Sequence, residues 1–366
     1  MYRFLLIEDS KVDADACIDT IQRMNKQRGA TDDLEIVVAT TFKDALDELK
    51  KDYCGAIVDI KLDDGSSGNK IIKQIIESYR IPVAVMTGTP DTDLEDNSPI
   101  KIYTKGKDTY EEIILTLIRT VDTGLFNVIG GKGTIEKTMN HVFWNNLYPR
   151  IHIWEELKSK GQDTEKILLR YAIAHIQELL DVEVPMYVTE ETYIKTPITD
   201  PIRTGTIIKA KTKNTYYVVL SPPCDLAIHG GVYKTDWLLL CEIDQHEDIN
   251  AQITVGATSD SRKKRCIEKA IKNNHTEYYH WLPFNSLFDG GYLNFRKVST
   301  YSPESMDENF LKAGIRVQEY FVKSLLCRFS SYYARQGQPD FDFDAEASAI
   351  VDKMSRTGTA QIADKG

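Results

Sequence analysis

Residues 55–59 read Gly-Ala-Ile-Val-Asp, a short apolar run that ends in a carboxylate. Similar runs recur within the first third of the chain, at Phe4–Ile7, Glu35–Ala39, Pro82–Met86 and Lys101–Tyr103. Short, mostly apolar runs are typical of strands that are buried on both faces of a parallel sheet. The segments between them, such as Ile71–Ile76, carry apolar residues at helical spacing. This alternation predicts an α/β fold with a doubly wound, five-stranded parallel sheet.

The composition is that of a globular protein that stays in the cytoplasm. With 366 residues, the chain is long enough for two domains with separate cores. No apolar run is long enough to span a bilayer, and Phe4–Ile7 is too short for a signal peptide. The formal net charge of −10 argues against broad nucleic-acid binding, because that affinity comes from cations that neutralise phosphates. The basic run Arg262–Arg265 is therefore interpreted as a solvated helix face.

The chain is predicted to change character along its length. A helix over Asp108–Val121 should end at Gly124, where a glycine-rich stretch begins. The predicted segments are an α/β domain at 1–123, a helical connector at 124–184, an α+β domain at 185–346 and a flexible tail at 347–366. The connector carries one apolar stripe that we expect in a core, formed by Leu169, Ile173, Ile176 and Leu180.

The α+β domain is expected to contain a small antiparallel sheet or barrel. Apolar runs bounded by Pro, Gly, Asn and Asp predict strands at Met186–Val188, Thr206–Lys211, Tyr216–Leu220 and Trp237–Cys241. Further along the chain, a helix is predicted over Leu311–Arg335.

Polar side chains of related chemistry follow several strands of the predicted parallel sheet. They are Glu8, Asp9, Asp59, Thr87 and Lys105. Because the carboxyl ends of parallel strands meet at one edge of the sheet, we expect these side chains to share a site. An acidic residue by itself is also typical of a helix cap. Three carboxylates together, however, repel one another and suit a hard divalent cation, which predicts bound Mg²⁺.

The same residues suit phosphoryl transfer. A cation beside Asp59 would neutralise an incoming phosphoryl group and leave the carboxylate free to attack phosphorus. The Thr87 hydroxyl and the Lys105 ammonium would then stabilise the phosphoryl oxygens of the product. We therefore predict that Asp59 is a phosphoryl acceptor.

These residues give the first third of the chain a resemblance to response-regulator receiver domains, which have a flavodoxin-like sheet. The segments that carry it are Ile7–Asp9, Val58–Leu62, Pro82–Gly88 and Lys105. The resemblance implies a two-component system or phosphorelay in which a histidine kinase supplies the phosphoryl group. It implies Mg²⁺ ligands at Glu8, Asp9, Asp59 and the carbonyl of Lys61. It also implies a switch formed by Thr87, Lys105 and Tyr103, and a homodimer through the face that contains Tyr110–Leu117.

Three features depart from the family's pattern. Gly106 follows Lys105 where the family usually has Pro. Tyr103 lies one residue nearer to the lysine than the usual switch residue, and Arg23–Asp33 lengthens the first connection.

The most distinctive stretch of the C-terminal half is Ser221-Pro222-Pro223-Cys224-Asp225-Leu226. It resembles a Ser-Pro-x-Cys-Asp-Leu motif of a poorly characterised bacterial family. More loosely, Thr204–Ile208 with Tyr217–Ser221 resembles the SH3-like barrel of endoribonuclease toxins of the MazF type. Neither resemblance implies a reaction for this chain.

Three roles are open for Cys224, which lies beside Asp225 in this motif. It is a small buried residue, a Zn²⁺ ligand, or a nucleophile activated by His280. Additional zinc ligands would come from Cys241, His229 and His246.

The sequence as a whole predicts a phosphorylation-dependent signalling regulator whose α/β domain controls an unconventional output domain with an unidentified protein partner. No helix-turn-helix with a basic recognition helix and no ATPase signature follows Gly124. The competing hypothesis is an effector enzyme, a nuclease or Cys-dependent hydrolase, that the α/β domain restrains. A third is a docking module that is no longer phosphorylated. By analogy of organisation alone, the setting is a bacterial stress or phage-defence system.

Overall fold

The chain divides into two compact units, Met1–Val184 and Pro185–Gly366. The computed structural model describes residues 1–29, 33–62, 68–88, 98–179, 186–195, 201–335 and 342–363, with backbone alone from residue 355 onward.

The N-terminal unit begins with a parallel sheet of five strands in the order β2-β1-β3-β4-β5. The strands are β1 Tyr2–Ile7, β2 Leu34–Ala39, β3 Gly55–Val58, β4 Val83–Thr87 and β5 Lys101–Thr104. The accompanying helices are α1 Lys11–Arg28, α2 Phe42–Glu48, α3 Gly68–Ser78 and α4 Tyr110–Asp122. The predicted fold class and all five predicted strands are confirmed, with boundaries that differ by at most two residues.

Each face of this sheet is covered by its own apolar core. Phe4 and Leu6 of β1 pack in a cluster with α1 and α4, whereas Leu5 and Ile7 pack in a second cluster with α2 and α3. The alternation follows from the two-residue period of a strand, and it explains why the strands are apolar throughout. Helix α4 begins at a capping box, in which the Thr109 hydroxyl accepts from the Glu112 backbone N–H.

The stretch after the sheet is helical, as its periodicity predicts. It contains α5 Leu125–Ile129, α6 Thr134–Val142, a π-helical turn Phe143–Leu147, a 3₁₀ turn Tyr148–Arg150, α7 Ile151–Ser159 and α8 Thr164–Glu178. The expectation that its apolar stripe lies in a core is wrong for Leu169 and Ile173, whereas Ile176 is half-buried. Leu169 is 61% exposed and Ile173 is 52% exposed, and Leu180 lies outside the described residues. Helical spacing identifies an apolar face, but it does not ensure that another element covers that face.

The C-terminal unit is built on an antiparallel sheet of seven strands in the order β12-β13-β11-β8-β7-β14-β6. The strands of the unit are β6 Tyr193–Lys195, β7 Thr206–Ala210, β8 Tyr216–Val219, β9 Ile228–His229, β10 Val232–Tyr233, β11 Leu238–Asp244, β12 Tyr279–Leu282, β13 Gly291–Tyr301 and β14 Phe310–Val317. The helices are α9 His246–Ile253, α10 Asp260–Ile271, α11 Pro303–Asn309, α12 Glu319–Tyr333 and α13 Phe343–Ala363. Strands β9 and β10 form a separate hairpin. The predicted antiparallel sheet is confirmed.

Two predictions for this unit are wrong. Met186–Val188 forms no strand, because the Val188 N–H donates to the Glu191 side chain and starts a 3₁₀ turn. The first part of Leu311–Arg335 is strand β14, and its helix α12 begins only at Glu319. Helix α13 continues as far as Ala363, which is consistent with the alanines in this stretch, the strongest helix formers. The flexibility of the tail stays a prediction.

Strands β11 and β13 are paired with an irregularity. Cys241 lies opposite Val298, but Ile243 lies opposite Leu293, so β13 carries extra residues between these two positions. The bulge turns two of them toward Asp244. The Asn294 amide donates to Asp244 Oδ2 at 2.8 Å, and Lys297 Nζ donates to Asp244 Oδ1 at 2.5 Å.

No single helix in the described part of the chain is both long and apolar enough to cross a membrane. One bent pair, Tyr110–Asp122 with Leu125–Ser159, meets the test of length and composition when its members are taken together. Ile113, Ile114 and Leu117 in the first helix of this pair are buried in the core of the N-terminal unit.

Candidate functional site

The carboxyl edge of the parallel sheet brings together the polar residues that the sequence predicts there. Backbone hydrogen bonds continue each ladder past the strand end: Glu8 donates to Ala39, Asp59 to Ile7, and Lys105 to Thr87, at 2.9 to 3.1 Å. The strands therefore hold these side chains at one edge by main-chain pairing. Glu8 is 1% exposed and Asp59 is 6% exposed, while Thr87 is also buried.

Glu8, Asp9 and Asp59 have carboxylate oxygens that all lie within 4.8 Å of one another. A candidate metal site is a group of at least three Asp, Glu, His or Cys side chains whose ligand atoms lie this close together. Among the described residues, Glu8, Asp9 and Asp59 form the one group that meets this condition. Three carboxylates are the oxygen donors that Mg²⁺ prefers, so the donor set fits the predicted cation. The Lys61 N–H donates to Asp59 Oδ1 at 3.4 Å. A ligand role for the Lys61 carbonyl stays a prediction.

Lys105 connects three carboxylates of this site. Its Nζ donates to Glu8 Oε2 at 2.7 Å, to Asp59 Oδ2 at 2.7 Å and to Asp13 Oδ2 at 2.8 Å. Asp13 was not among the residues predicted from the sequence. It lies in the first turn of α1, three residues after the capping residue Ser10, and side chains in a first turn lean toward the helix N-terminus. That position is the signal that could have identified it.

Burial and charge oppose each other within this cluster. Burial raises the pKa of Glu8 to about 7, although the hydrogen bond from Lys105 acts in the opposite direction. Burial by itself disfavours the Lys105 ammonium, but hydrogen bonds to its three carboxylates outweigh that cost and raise its pKa. The Lys105 hydrogen bond lowers the pKa of Asp13. The site therefore keeps a permanent ammonium beside one carboxyl that takes up a proton near neutral pH.

Thr87 and Tyr103 lie on opposite faces of the sheet. Met86 is paired with Tyr103, and Thr87 is paired with Thr104. Paired residues in neighbouring strands share a face, so Tyr103 projects with Met86 into the cluster formed with α1 and α4. Thr104 is the β5 residue that shares the face of Thr87. A coupling of Thr87 to Tyr103, as in the predicted switch, would have to pass through the sheet.

Gly68, the first residue of α3, packs against the backbone of Asp59 and Ile60. Its N–H donates to the Ile60 carbonyl at 2.8 Å. A Cβ at this position would lie 2.0 Å from the Asp59 carbonyl oxygen, a distance that no side chain tolerates. Helix α3 is therefore seated directly on the backbone that carries Asp59.

The residues predicted around Cys224 are not gathered into one site. Cys224 is exposed, and its thiol lies 3.6 Å from Asp225 Oδ1. His229 is exposed on the β9 strand of the small hairpin. The idea that Cys224 is a buried residue is therefore wrong.

The remaining members of that predicted group are buried or half-buried elsewhere. Cys241 is fully buried in β11, where its thiol contacts the Asn294 carbonyl and burial raises its pKa. His280 is buried in β12, and burial lowers its pKa to about 3. His246 contacts the Leu282 carbonyl. No grouping of Cys and His ligands occurs among the described residues, so the zinc hypothesis has no support. Within the described part of the chain, His280 Nδ1 has no hydrogen-bond partner, and the Cys224 thiol contacts Asp225, so no contact of His280 activates Cys224.

Comparisons with solved structures find receiver domains over the N-terminal third. A CheY-like receiver domain from Methylobacillus flagellatus is 17% identical, with a TM-score of 0.25 over 32% of this chain and 98% of that one. A receiver domain protein from Methanospirillum hungatei JF-1 is 18% identical, with a TM-score of 0.27 over 34% and 95%. The response regulator PhyR from Brucella abortus is 27% identical, with a TM-score of 0.28 over 34% and 50%.

No protein-family model and no curated protein matches the sequence. The TM-scores to the solved receiver domains lie below 0.5. The fold of the N-terminal unit is therefore assigned from its own strand order, helices and site.

Proposed function

We propose that this chain is a phosphorylation-dependent signalling protein whose N-terminal unit accepts a phosphoryl group on Asp59. One observation carries the proposal: a buried aspartate lies with two further carboxylates and a lysine at the carboxyl edge of a five-stranded parallel sheet. A structural ion pair needs one partner for Lys105, whereas this site surrounds one ammonium with several carboxylates.

The acidic residues would hold Mg²⁺ through Glu8, Asp9 and Asp59. When bound, the cation would supply charge neutralisation for a phosphoryl group. An Asp59 carboxylate oxygen would attack phosphorus in line, forming one P–O bond as the bond from phosphorus to the donor's leaving group breaks. Burial favours the reaction, because the acceptor carboxylate is poorly hydrated at this position.

Lys105 is placed to respond to that reaction. Its ammonium donates to the Asp59 oxygen before transfer and would donate to a phosphoryl oxygen afterwards. The buried Thr87 hydroxyl, at the end of the neighbouring strand, would donate a hydrogen bond to a second phosphoryl oxygen. A shift of Lys105 toward the phosphoryl group would weaken its hydrogen bond to Asp13. Because Asp13 belongs to helix α1, phosphorylation would in this way change a contact of that helix. This route needs no rearrangement of Tyr103.

We infer that the phosphoryl donor is a histidine kinase, since that is the donor of the receiver domains this unit resembles. A phosphorelay, a homodimer and control of a protein partner by the C-terminal unit are parts of the same proposal. The bacterial stress or phage-defence setting rests on analogy of organisation alone. The exposed Cys224 with no described catalytic partner gives the effector-enzyme alternative no added support.

The experiment is intact mass spectrometry after incubation with acetyl phosphate and Mg²⁺. The wild type and an Asp47→Asn variant, which changes an exposed carboxylate outside the site, should each gain the mass of one phosphoryl group. The Asp59→Asn variant should gain none, and a chelator should prevent the gain in the wild type. A gain that persists in Asp59→Asn, or no gain in the wild type, would contradict the proposal.

A further inference from the structure

The C-terminal unit contains a cavity of about 730 Å³ to which no function has yet been assigned. It lies among helix α9, helix α10 and the loop that joins β12 to β13. It is partly open to solvent, and clefts of this size are typical of sites that bind a small organic molecule. Its chemistry is set by one group of aromatic side chains and one group of polar side chains.

Aromatic rings supply one part of the wall. Trp281, Phe284, Phe288 and Tyr292 all line the cavity. Phe284 is 71% exposed, which is unusual for such a large apolar side chain and leaves its surface available at the cavity. Flat rings of this kind bind aromatic or apolar ligands by stacking and burial, and they also attract cations to their faces.

The loop that carries two of these rings is held in place by its own hydrogen bonds. Asn285 Oδ1 accepts from the N–H groups of Leu287 and Phe288 at 2.9 and 3.2 Å. Gly290 has a φ of +70°, and a Cβ there would lie 2.4 Å from the Leu282 carbonyl oxygen. The turn therefore requires glycine, and the aromatic wall is formed before any ligand arrives.

The charge of the lining has one sign. Glu247 and Asp289 line the cavity, and among the described lining residues none is Lys or Arg. A phosphate or carboxylate ligand would meet repulsion here, whereas an ammonium would find both carboxylates and ring faces. The cavity thus selects against anions.

His246 adds a hydrogen-bond acceptor. Its Nε2 lies 3.1 Å from the Leu282 carbonyl, which can only accept, so Nε2 carries the proton and Nδ1 is left as an acceptor. Burial lowers the pKa of His246, so the ring is neutral at pH 7. The His246 ring therefore adds no positive charge to the cavity wall.

We infer that this cavity binds a small molecule that combines a flat aromatic or apolar body with a protonated amine. Stacking on Phe284 and Trp281 would hold the body, and Glu247 and Asp289 would pair with the amine. The inference concerns residues of the C-terminal unit alone, so its failure would leave the Asp59 proposal intact.

The test is saturation-transfer NMR on the full chain with two probes of similar size and opposite charge, 2-phenylethylamine and phenylacetate. From the usual binding energy per atom of small ligands, 2-phenylethylamine should bind with a dissociation constant of about 1 mM. Phenylacetate should bind at least about tenfold more weakly because of the two carboxylates. Equal or tighter binding of phenylacetate, or no signal from either probe at about 10 mM, overturns the inference.

Variants separate the two parts of the site. The double change Glu247→Gln with Asp289→Asn should weaken 2-phenylethylamine by about fivefold, because both acids are exposed and the pairing is screened. Phe284→Ala should weaken both probes and, since the ring is largely exposed, should melt as the wild type does. Glu308→Gln, at an exposed acid outside the cavity, should change nothing. Unchanged binding in the double variant would overturn the role of charge, whether or not Phe284→Ala folds.

Discussion

Competition between Mg²⁺ and a proton at Glu8 is expected to make metal binding depend on pH in a defined range. Burial raises the pKa of Glu8 to about 7, whereas an ordinary glutamate is ionised well below that pH. A metal ligand must be deprotonated, so the proton has to leave before Glu8 contacts the cation. The affinity for Mg²⁺ should therefore fall as the pH falls below 7 and level off above it.

The size of this effect follows from the pKa. At pH 6 about nine in ten Glu8 carboxyls carry a proton, and at pH 8 about one in ten does. Binding of Mg²⁺ should accordingly release about 0.9 proton at pH 6 and about 0.1 at pH 8. Below pH 7 the dissociation constant should rise by about tenfold for each pH unit, until other groups titrate.

Isothermal titration calorimetry in buffers of different ionisation enthalpy measures both the affinity and the number of protons released. The matched variant is Glu8→Gln, which keeps the size of the side chain but has no titratable group. It should bind Mg²⁺ more weakly and with little proton release at pH 6. The role given to Glu8 would be refuted if the wild type and Glu8→Gln released the same number of protons on binding Mg²⁺ at pH 6.

Backbone packing, helix capping and thiol burial give three more expectations. Gly68→Ala would place a Cβ against the backbone of Asp59, so it should lower the free energy of unfolding, measured by urea titration, by about 2 to 3 kcal/mol. The control is Gly88→Ala, whose Cβ would meet nothing within 4 Å and which should leave the free energy of unfolding nearly unchanged. Equal effects of the two changes would contradict this packing. Thr109→Ala removes the capping box of α4 and should cost about 1 kcal/mol by the same measurement, and an unchanged midpoint would count against the cap. Iodoacetamide should label Cys224 in the native protein and Cys241 only after unfolding, as peptide mass spectrometry would report, and native labelling of Cys241 would contradict its burial.

The parallel sheet was predictable because its signal is local and repeated. Strands such as Gly55–Val58 are short, apolar and separated by helical segments, and the chemistry of Glu8, Asp9 and Asp59 appears at their ends. Parallel topology then brings those ends together without further information. Asp13 escaped prediction because it belongs to a helix, where its contact with Lys105 depends on the direction of the first turn.

The C-terminal unit was less predictable because its contacts are distant in sequence. Phe310–Val317 has the apolar content of a buried helix segment, and only its pairing with β7 and β6 makes it a strand. The group around Cys224 was proposed from residue types alone, and nothing in the spacing shows that Cys241 and His280 are buried whereas Cys224 is exposed. Likewise, the spacing of Leu169 and Ile173 reveals an apolar face but not its exposure.

The position of β14 bears on the order in which the two units can form during synthesis. In the N-terminal sheet, each strand pairs with one close to it in sequence, so that unit can fold while the rest of the chain is still being made. In the C-terminal sheet, β14 is the one partner of β6 among the described strands, and Tyr193 meets Val317, 124 positions later (317 − 193). Closing so long a loop is slow. Until the ribosome has released β14, both β6 and one edge of β7 lack their partner strand, so this sheet is exposed to mispairing for most of the time that the unit takes to be translated.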